Sequence, residues 1–474
     1  MTGQAFSTIC AGASPILFGD AHSFSPFLRK VIVAQTCCPF HGRFRRVLSF
    51  PEAWREHHKD FTMKILWVKA GGLVPPDTGG KIRSYNILLH LGRQHSVTLF
   101  SFHAATENDQ HDQLRSLFHG VVCIPLALPQ PRSAIELVDY CRSFFSPDPY
   151  NITKYCRPHV LQGLHNLLKG EAYDVIVCDF LTAAAVMPRA NPIPTVLFTH
   201  NVEAMIWQRH FETARNPLWK AISRHEWRRM QAAERRYLER ADHVLTVSED
   251  DRRAFSAYLD PSRLTVVPTG VDVEYFQPAA EPETPNRMVF TGSMDWLPNQ
   301  DGILYFIKEI LPLIRKEIPE VQIWVAGRSP SPALRAAAAR EPNIHLTGRV
   351  DDIRPFLARS SVVFVPLRIG GGTRLKIFEA MSMAKPVVST TIGAEGLPVL
   401  NEQHLLLADD PVAFAQSCLR LLRDTGLRRQ IGLAGRALVQ QKYSWAQVAS
   451  VFNQALLAAV EKRTSRNVVH SETR

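Results

Sequence analysis

Gly370-Gly371-Gly372-Thr373-Arg374-Leu375-Lys376-Ile377-Phe378-Glu379-Ala380-Met381 is the stretch on which the fold turns. It follows Val362-Val363-Phe364-Val365-Pro366, an unbroken apolar run of the kind that forms a strand buried on both faces of a parallel sheet. After the glycines, Leu375, Phe378 and Met381 recur at helical spacing. A strand, a glycine loop and a helix in succession point free backbone N–H groups at an anion. The glycines let that anion approach the backbone closely. Arg374 and Lys376 put two positive charges in the first turn, where they oppose the helix dipole and suit a bound polyanion better than the helix. Glu379 shares a helix face with Lys376. A carboxylate there repels phosphate, so its expected task is to accept hydrogen bonds from sugar hydroxyls. The competing reading is a glycine-rich surface loop with an incidental ion pair.

Outward from this stretch, strands and helices alternate in both directions. Upstream, strands are expected at residues 64–69, 97–102, 120–125, 173–179, 194–198, 243–247 and 264–268, with a helix at 82–94. Downstream of a Pro-rich acidic linker at 277–286, strands are expected at 288–292, 321–327, 344–348, 362–366, 387–390 and 405–407. Helices are expected at 301–315, 412–422, 427–440 and 445–461. This alternation predicts an α/β protein with two doubly wound parallel sheets. The expected divisions are a poorly ordered extension at 1–62, a first domain at 63–278, a second at 279–440, a last helix at 441–462 and a disordered tail at 463–474. Met63 opens the first strand so abruptly that we expect translation to begin there.

The chain has 474 residues, a formal net charge of +11 and eight scattered cysteines. That length allows two or three domains. The charge favours acidic partners, from nucleotide phosphates to anionic lipid head groups. No C-x-x-C pair is present, so neither a zinc site nor a disulfide framework is expected. No apolar run reaches bilayer-spanning length. Nucleic-acid binding is not expected either, because the basic residues lack aromatic interleaving and any recognisable module. An NAD oxidoreductase is disfavoured because Gly79-Gly80 lacks the third spaced glycine of the dinucleotide fingerprint.

The segment from Pro366 to Ser389 resembles the donor-binding segment of GT-B glycosyltransferases, specifically the large retaining family 4 (glycosyl transferases group 1). The likeness extends over about residues 63 to 460. It implies two Rossmann-like domains facing a cleft, the second binding the nucleotide sugar and the first the acceptor, with a last helix crossing back. Of the family's two donor-flanking glutamates, Glu379 matches the second, which contacts the ribose. The first falls on Gly371, which leaves sugar identity open. A branch of the family has Gly-Gly-Thr-Arg-Leu-Lys here, as this chain does.

The resemblance extends to other positions. Gly79 and Gly80 match a glycine pair that approaches the donor phosphate, and a plain βα turn is the alternative. His200, after the strand at 194–198, matches a histidine that hydrogen-bonds the donor sugar; ligands of open α/β sheets bind at such strand ends. Glu203 is either an acceptor-side group or a first-turn helix acid. Gly292 and Ser293 are expected to offer N–H groups to the diphosphate. The family has Arg and Lys near that loop, whereas this chain has neither until Lys308, so Arg374 and Lys376 are the expected substitutes. Asn299 is expected to cap the following helix or to touch the ligand. The main chain around Val350 matches the base-reading loop.

The expected catalytic residues are thus His200, Arg374 and Lys376. The expected donor site is Gly79, Gly80, Gly292, Ser293, Val350, Gly371, Gly372, Thr373 and Glu379. The donor is expected to be a UDP- or GDP-sugar and the acceptor a glycan or lipid-linked molecule, with neither metal nor resident cofactor. The place is expected to be the cytoplasm or the inner face of the plasma membrane. An Arg-rich helical stretch from Arg209 to Arg240 carries either internal pairing with Glu226, Glu234 and Glu239 or an anionic membrane surface. A GT-B nucleotide-sugar epimerase and a non-catalytic nucleotide-sugar-binding protein are the rival readings.

Overall fold

The computed structural model describes residues 63–76, 78–104, 111–130, 133–214, 216–369 and 375–472. The expected extension at 1–62 lies outside them. Packing of the chain defines two compact units. Of the described residues, one holds 63–72 together with Gln94–Ile193 and Glu203–Tyr237; the other holds Leu73–Arg93, Pro194–Val202 and those from Leu238 onward.

Among the described residues thirteen strands occur in two sheets, and the registers resolved between neighbouring strands are parallel. The first sheet has β1 (Lys64–Ala70), β2 (Ser96–His103), β3 (Gly120–Pro125), β4 (Val175–Asp179), β5 (Thr195–Phe198), β6 (His243–Thr246) and β7 (Leu264–Val266). Their order is β3-β2-β1-β4-β5-β6-β7. The second has β8 (Arg287–Thr291), β9 (Gln322–Ala326), β10 (Ile344–Gly348), β11 (Val362–Val365), β12 (Val387–Ser389) and β13 (Leu406–Leu407), ordered β10-β9-β8-β11-β12-β13. In each sheet the first strand in sequence is flanked by the second and the fourth. That reversal is the topological switch point, and ligands bind outside the strand ends there. In the second sheet it lies between β8 and β11, where Gly292 follows β8.

β2, β4, β6, β8, β11 and β12 are buried along their whole length, as parallel sheets covered by helices require, whereas the edge strands β3, β7 and β10 are only partly buried. Phe290, Phe306, Phe364 and Phe414 pack through the second core, with the Phe306 and Phe364 rings stacked at 4.2 Å between centroids and Phe414 edge-on to Phe306. Each such side chain contributes about 1.5–3 kcal/mol by leaving water. In the first sheet, Lys69 and Asp179 form a buried ion pair of 2.8 Å, and Trp67 Nε1 donates to the same carboxylate at 3.0 Å. That buried carboxylate therefore has both a counter-charge and a donor.

Three expectations need correction. The helix expected at 301–315 begins earlier, at Leu297, with Trp296 as its N-cap, so Asn299 lies inside the first turn and caps nothing. The same helix passes through a π-helical segment, Phe306–Ile310, before continuing as Leu311–Glu317. Pro312 has no amide for the preceding turn, which accounts for the widened ladder just before it. The last helix runs from Trp445 to Glu472, not into a disordered tail at 463, because no proline or glycine interrupts residues 463–472.

That helix packs on the Gly79–Leu91 helix and on β5 and β6, with Phe452 edge-on to Phe198 and Arg463 2.7 Å from Asp242. The acidic linker is tied to elements of the second sheet's half of the chain. Glu283 pairs with Lys385 and Arg428, and Glu281 with Arg359.

Candidate active site

β8 delivers Gly292 to the switch point with φ +149°. Its amide donates to Ala326 O of β9 at 3.0 Å. The expectation that Gly292 offers this N–H to a diphosphate is therefore corrected: the amide extends the sheet ladder. The glycine serves space instead. A Cβ there would lie 2.6 Å from Lys376 Nζ and 2.8 Å from Asn299 Nδ2. Ser293 Oγ donates to Asp295 at 2.6 Å and accepts from Arg328 Nε at 2.8 Å, and Arg328 also pairs with Asp295 at 3.3 Å. Arg328 follows β9 and brings a guanidinium to a loop that lacks a cation of its own.

Lys376 lies in the first turn of the Leu375–Ser382 helix. Its ammonium donates to Asn299 Oδ1 at 2.9 Å and lies 3.9 Å from the centroid of the Phe290 ring. Asn299 is buried, and its Nδ2 donates to Ser293 O at 2.8 Å. One amide side chain thus links the lysine to the β8 loop. Glu379 lies one turn further along the helix. It is only partly covered at its surface but is set deep among protein atoms. Burial pushes its carboxyl up to about 7, against the opposing pull of Lys376. No described side chain hydrogen-bonds to that carboxyl. Gly371, Gly372, Thr373 and Arg374 lie outside the described residues.

Val350 follows β10 and is half-buried. Beside it, Asp352 accepts from Arg354 at 2.7 Å, and Arg354 stacks 3.8 Å from the Tyr275 ring centroid. Gly79 and Gly80 open the Gly79–Leu91 helix behind the Thr78 cap, and a Cβ on Gly79 would meet nothing within 4 Å. His200 is buried after β5, its ring centroid 4.3 Å from that of Phe198. Arg83 Nη1 lies 3.4 Å from His200 Nδ1, and Arg83 Nε donates to Thr269 Oγ1 at 2.5 Å. Glu203 is a first-turn residue of the Glu203–Thr213 helix, and its amide donates to Glu234 at 2.8 Å.

The structure therefore brings Lys376, Gly292 and Ser293 together through Asn299. Arg328, Arg83 and Thr269 were missed in the sequence. For Arg328 a signal existed, since it follows a strand that flanks β8.

Residues 285–424 match the family described as Glycosyl transferases group 1, and residues 78–275 match Glycosyltransferase Family 4. The chain belongs to these GT-B glycosyltransferases. Among its relatives is a phosphatidyl-myo-inositol mannosyltransferase of Mycobacterium leprae, 30% identical over 193 residues, covering 39% of this chain and 50% of that protein. A UDP-Gal:alpha-D-GlcNAc-diphosphoundecaprenol alpha-1,3-galactosyltransferase of Escherichia coli is 26% identical over 353 residues, covering 66% of this chain and 87% of that one. An uncharacterized 44.6 kDa protein in the cps region of Klebsiella pneumoniae is 23% identical over 176 residues, covering 35% and 45%. The chain spans about half the length of the Klebsiella and mycobacterial relatives. The fold is shared with HepE of Anabaena, solved in complex with UDP, at a TM-score of 0.58 and 14% identity, covering 84% of this chain and 100% of that one.

Proposed function

We propose that this chain is a retaining hexosyl- or glycosyltransferase. It moves a sugar from a UDP- or GDP-sugar to a glycan or lipid-linked acceptor, in envelope or exopolysaccharide biosynthesis. The observation that carries the reading is Lys376, fixed by Asn299 at the switch point of the second sheet with the deep-set carboxyl of Glu379 one turn away. The lysine binds the diphosphate, a task Arg374 is expected from the sequence to share, and Glu379 accepts from the ribose. Charge-assisted hydrogen bonds of this kind contribute about 1.5–3 kcal/mol each, and more as negative charge grows on the leaving group. The anomeric C–O bond to phosphate breaks, the acceptor oxygen bonds on the same face, and its proton passes to the departing phosphate oxygen. His200 hydrogen-bonds the donor sugar. No metal ion is required.

Names of the relatives support the acceptor class: one acts on a phosphatidylinositol and one on a diphosphoundecaprenol-linked sugar. The test is a panel of UDP- and GDP-sugars, first by thermal shift and then by transfer to glycan and lipid-diphosphate acceptors, with the product anomer read by NMR. Donor binding without turnover identifies a nucleotide-sugar-binding protein, and donor isomerisation without acceptor identifies an epimerase. Either result overturns the transferase reading.

The partner surface is the anionic inner face of the plasma membrane. Arg229 and Arg236 are spent internally, on Glu226 and Asp148. Arg224 and Arg228 are exposed, as are Ile135, Val138 and Phe145, the last at 93%. Each basic residue near anionic lipid adds about 1 kcal/mol. No helix among the described residues is long and apolar enough to cross a membrane. Flotation with vesicles of rising anionic content tests this, and binding insensitive to lipid charge overturns it.

A further inference from the structure

Arg83 projects from the Gly79–Leu91 helix and is 8% exposed. Its guanidinium meets Thr269 Oγ1 through Nε at 2.5 Å and His200 Nδ1 through Nη1 at 3.4 Å. A guanidinium carries five N–H donors, no acceptor, and does not deprotonate in proteins. The contact is therefore consistent with only one role for His200 Nδ1, that of acceptor. The ring proton then sits on Nε2. An imidazolium, or the other tautomer, would set N–H against N–H.

The partners of this contact are themselves held. Thr269 is buried, and the next residue, Gly270, lies under Trp445: a Cβ on it would fall 2.5 Å from the indole. Val271 N then donates to Tyr443 O at 2.7 Å. On the histidine side, Phe198 packs against the ring and Thr199 N donates to Leu245 O at 2.8 Å. Neither partner can drift without moving a strand end or the last helix.

We propose that Arg83 is a positioning residue that locks His200 in the neutral Nε2–H tautomer, with Thr269 orienting the guanidinium. The lock makes Nε2–H the donor that His200 presents. The use of that donor on a sugar rests on the function proposed above, whereas the tautomer does not.

The experiment uses the full chain labelled with 15N-histidine, with the His200 signals assigned by their loss in His200→Gln. Long-range 1H–15N spectra of the native protein should show the Nε2–H tautomer alone. Arg83→Met should give a tautomer mixture. It should also lower kcat by about tenfold or more with little change in donor KM, the scale typical of residues that orient a functional histidine. Arg83→Lys, which keeps the charge but loses the fork, should recover only part of that loss. Should Arg83→Met fail to fold, Thr269→Val loosens the same guanidinium and should also mix the tautomers. An Nδ1–H tautomer in the native chain overturns the proposal, as does a tautomer unchanged in both variants. If the tautomers mix as expected but neither Arg83→Met nor His200→Gln slows transfer, the lock stands and the sugar-binding role of His200 falls.

Discussion

Asn299 is the most informative residue to change, because it makes two different bonds. Its Oδ1 accepts from Lys376 at 2.9 Å, and its Nδ2 donates to Ser293 O at 2.8 Å. Asn299→Ala removes both. The first is a bond to a charged group, about 1.5–3 kcal/mol, and the second is neutral, about 0.5–1.5 kcal/mol. Water can reach the half-exposed lysine and replace part of the first, so a net loss of about 1–3 kcal/mol of stability is expected. With the lysine released, catalysis should suffer more than binding. A loss of about 1.4–2.8 kcal/mol of transition-state stabilisation is about ten- to a hundredfold in kcat. Asn299→Asp separates position from charge. It keeps an acceptor for Lys376 but sets a carboxylate oxygen against Ser293 O, so it should melt no higher than Asn299→Ala. Its carboxylate also neutralises the lysine and repels a diphosphate, so kcat should be no better than in Asn299→Ala. Stability comes from urea titrations and kcat from nucleotide release with the active donor. If Asn299→Asp turns over within twofold of the unaltered chain, the charge of Lys376 does not act on the leaving group and the reasoning fails.

Three further outcomes are expected. Lys376→Ala should keep the fold and lose most of kcat, and turnover near the native rate would remove the central assignment. Gly292→Ala should cost about 1–3 kcal/mol as an overpacking change, because the new methyl meets Lys376 and Asn299 at sub-contact distance; an unchanged urea midpoint would contradict this. Glu379 predicts a pH signature. Its folded value near 7 lies above the ordinary 4.5, so between those values the folded state holds a proton that the unfolded chain has lost. This residue's contribution to stability therefore falls as pH rises from about 4.5 to about 7 and is level above that. Glu379→Gln should flatten that part of the Tm profile. The same titration should tighten donor binding as pH passes about 7, a slope absent from the glutamine variant; identical profiles in the two proteins would count against the ribose role.

Periodicity is a local property, and what is local was legible. The apolar runs at 362–366 and 64–69 became β11 and β1, and the expected strands at 120–125 and 344–348 match β3 and β10 end for end. Helix ends were less legible. Asn299 has the side chain of a cap, but Pro298 is also well suited to the first turn, and the helix starts before it. The site's side-chain contacts were not legible at all. Asn299 meets Lys376 across 77 positions and Arg83 meets His200 across 117. Such pairs are set by how strand ends converge, which no window along the chain records. The amide of Gly292 was misread for the same reason, since its acceptor belongs to β9.

The sheet order also explains how a loop without cations can sit where a diphosphate is expected. β8 lies between β9 and β11, so residues following either neighbour reach the loop after β8. Both neighbours supply one. Arg328, after β9, donates to Ser293 Oγ, and Lys376, after β11, reaches Ser293 O through Asn299. Asp295 offsets part of the arginine's charge, and the carboxyl of Glu379 lies one turn from Lys376. A switch point fixes where positive charge must converge but not which of the adjoining strands carries it. The position of a cation in the sequence can therefore change while the field at the strand ends is kept.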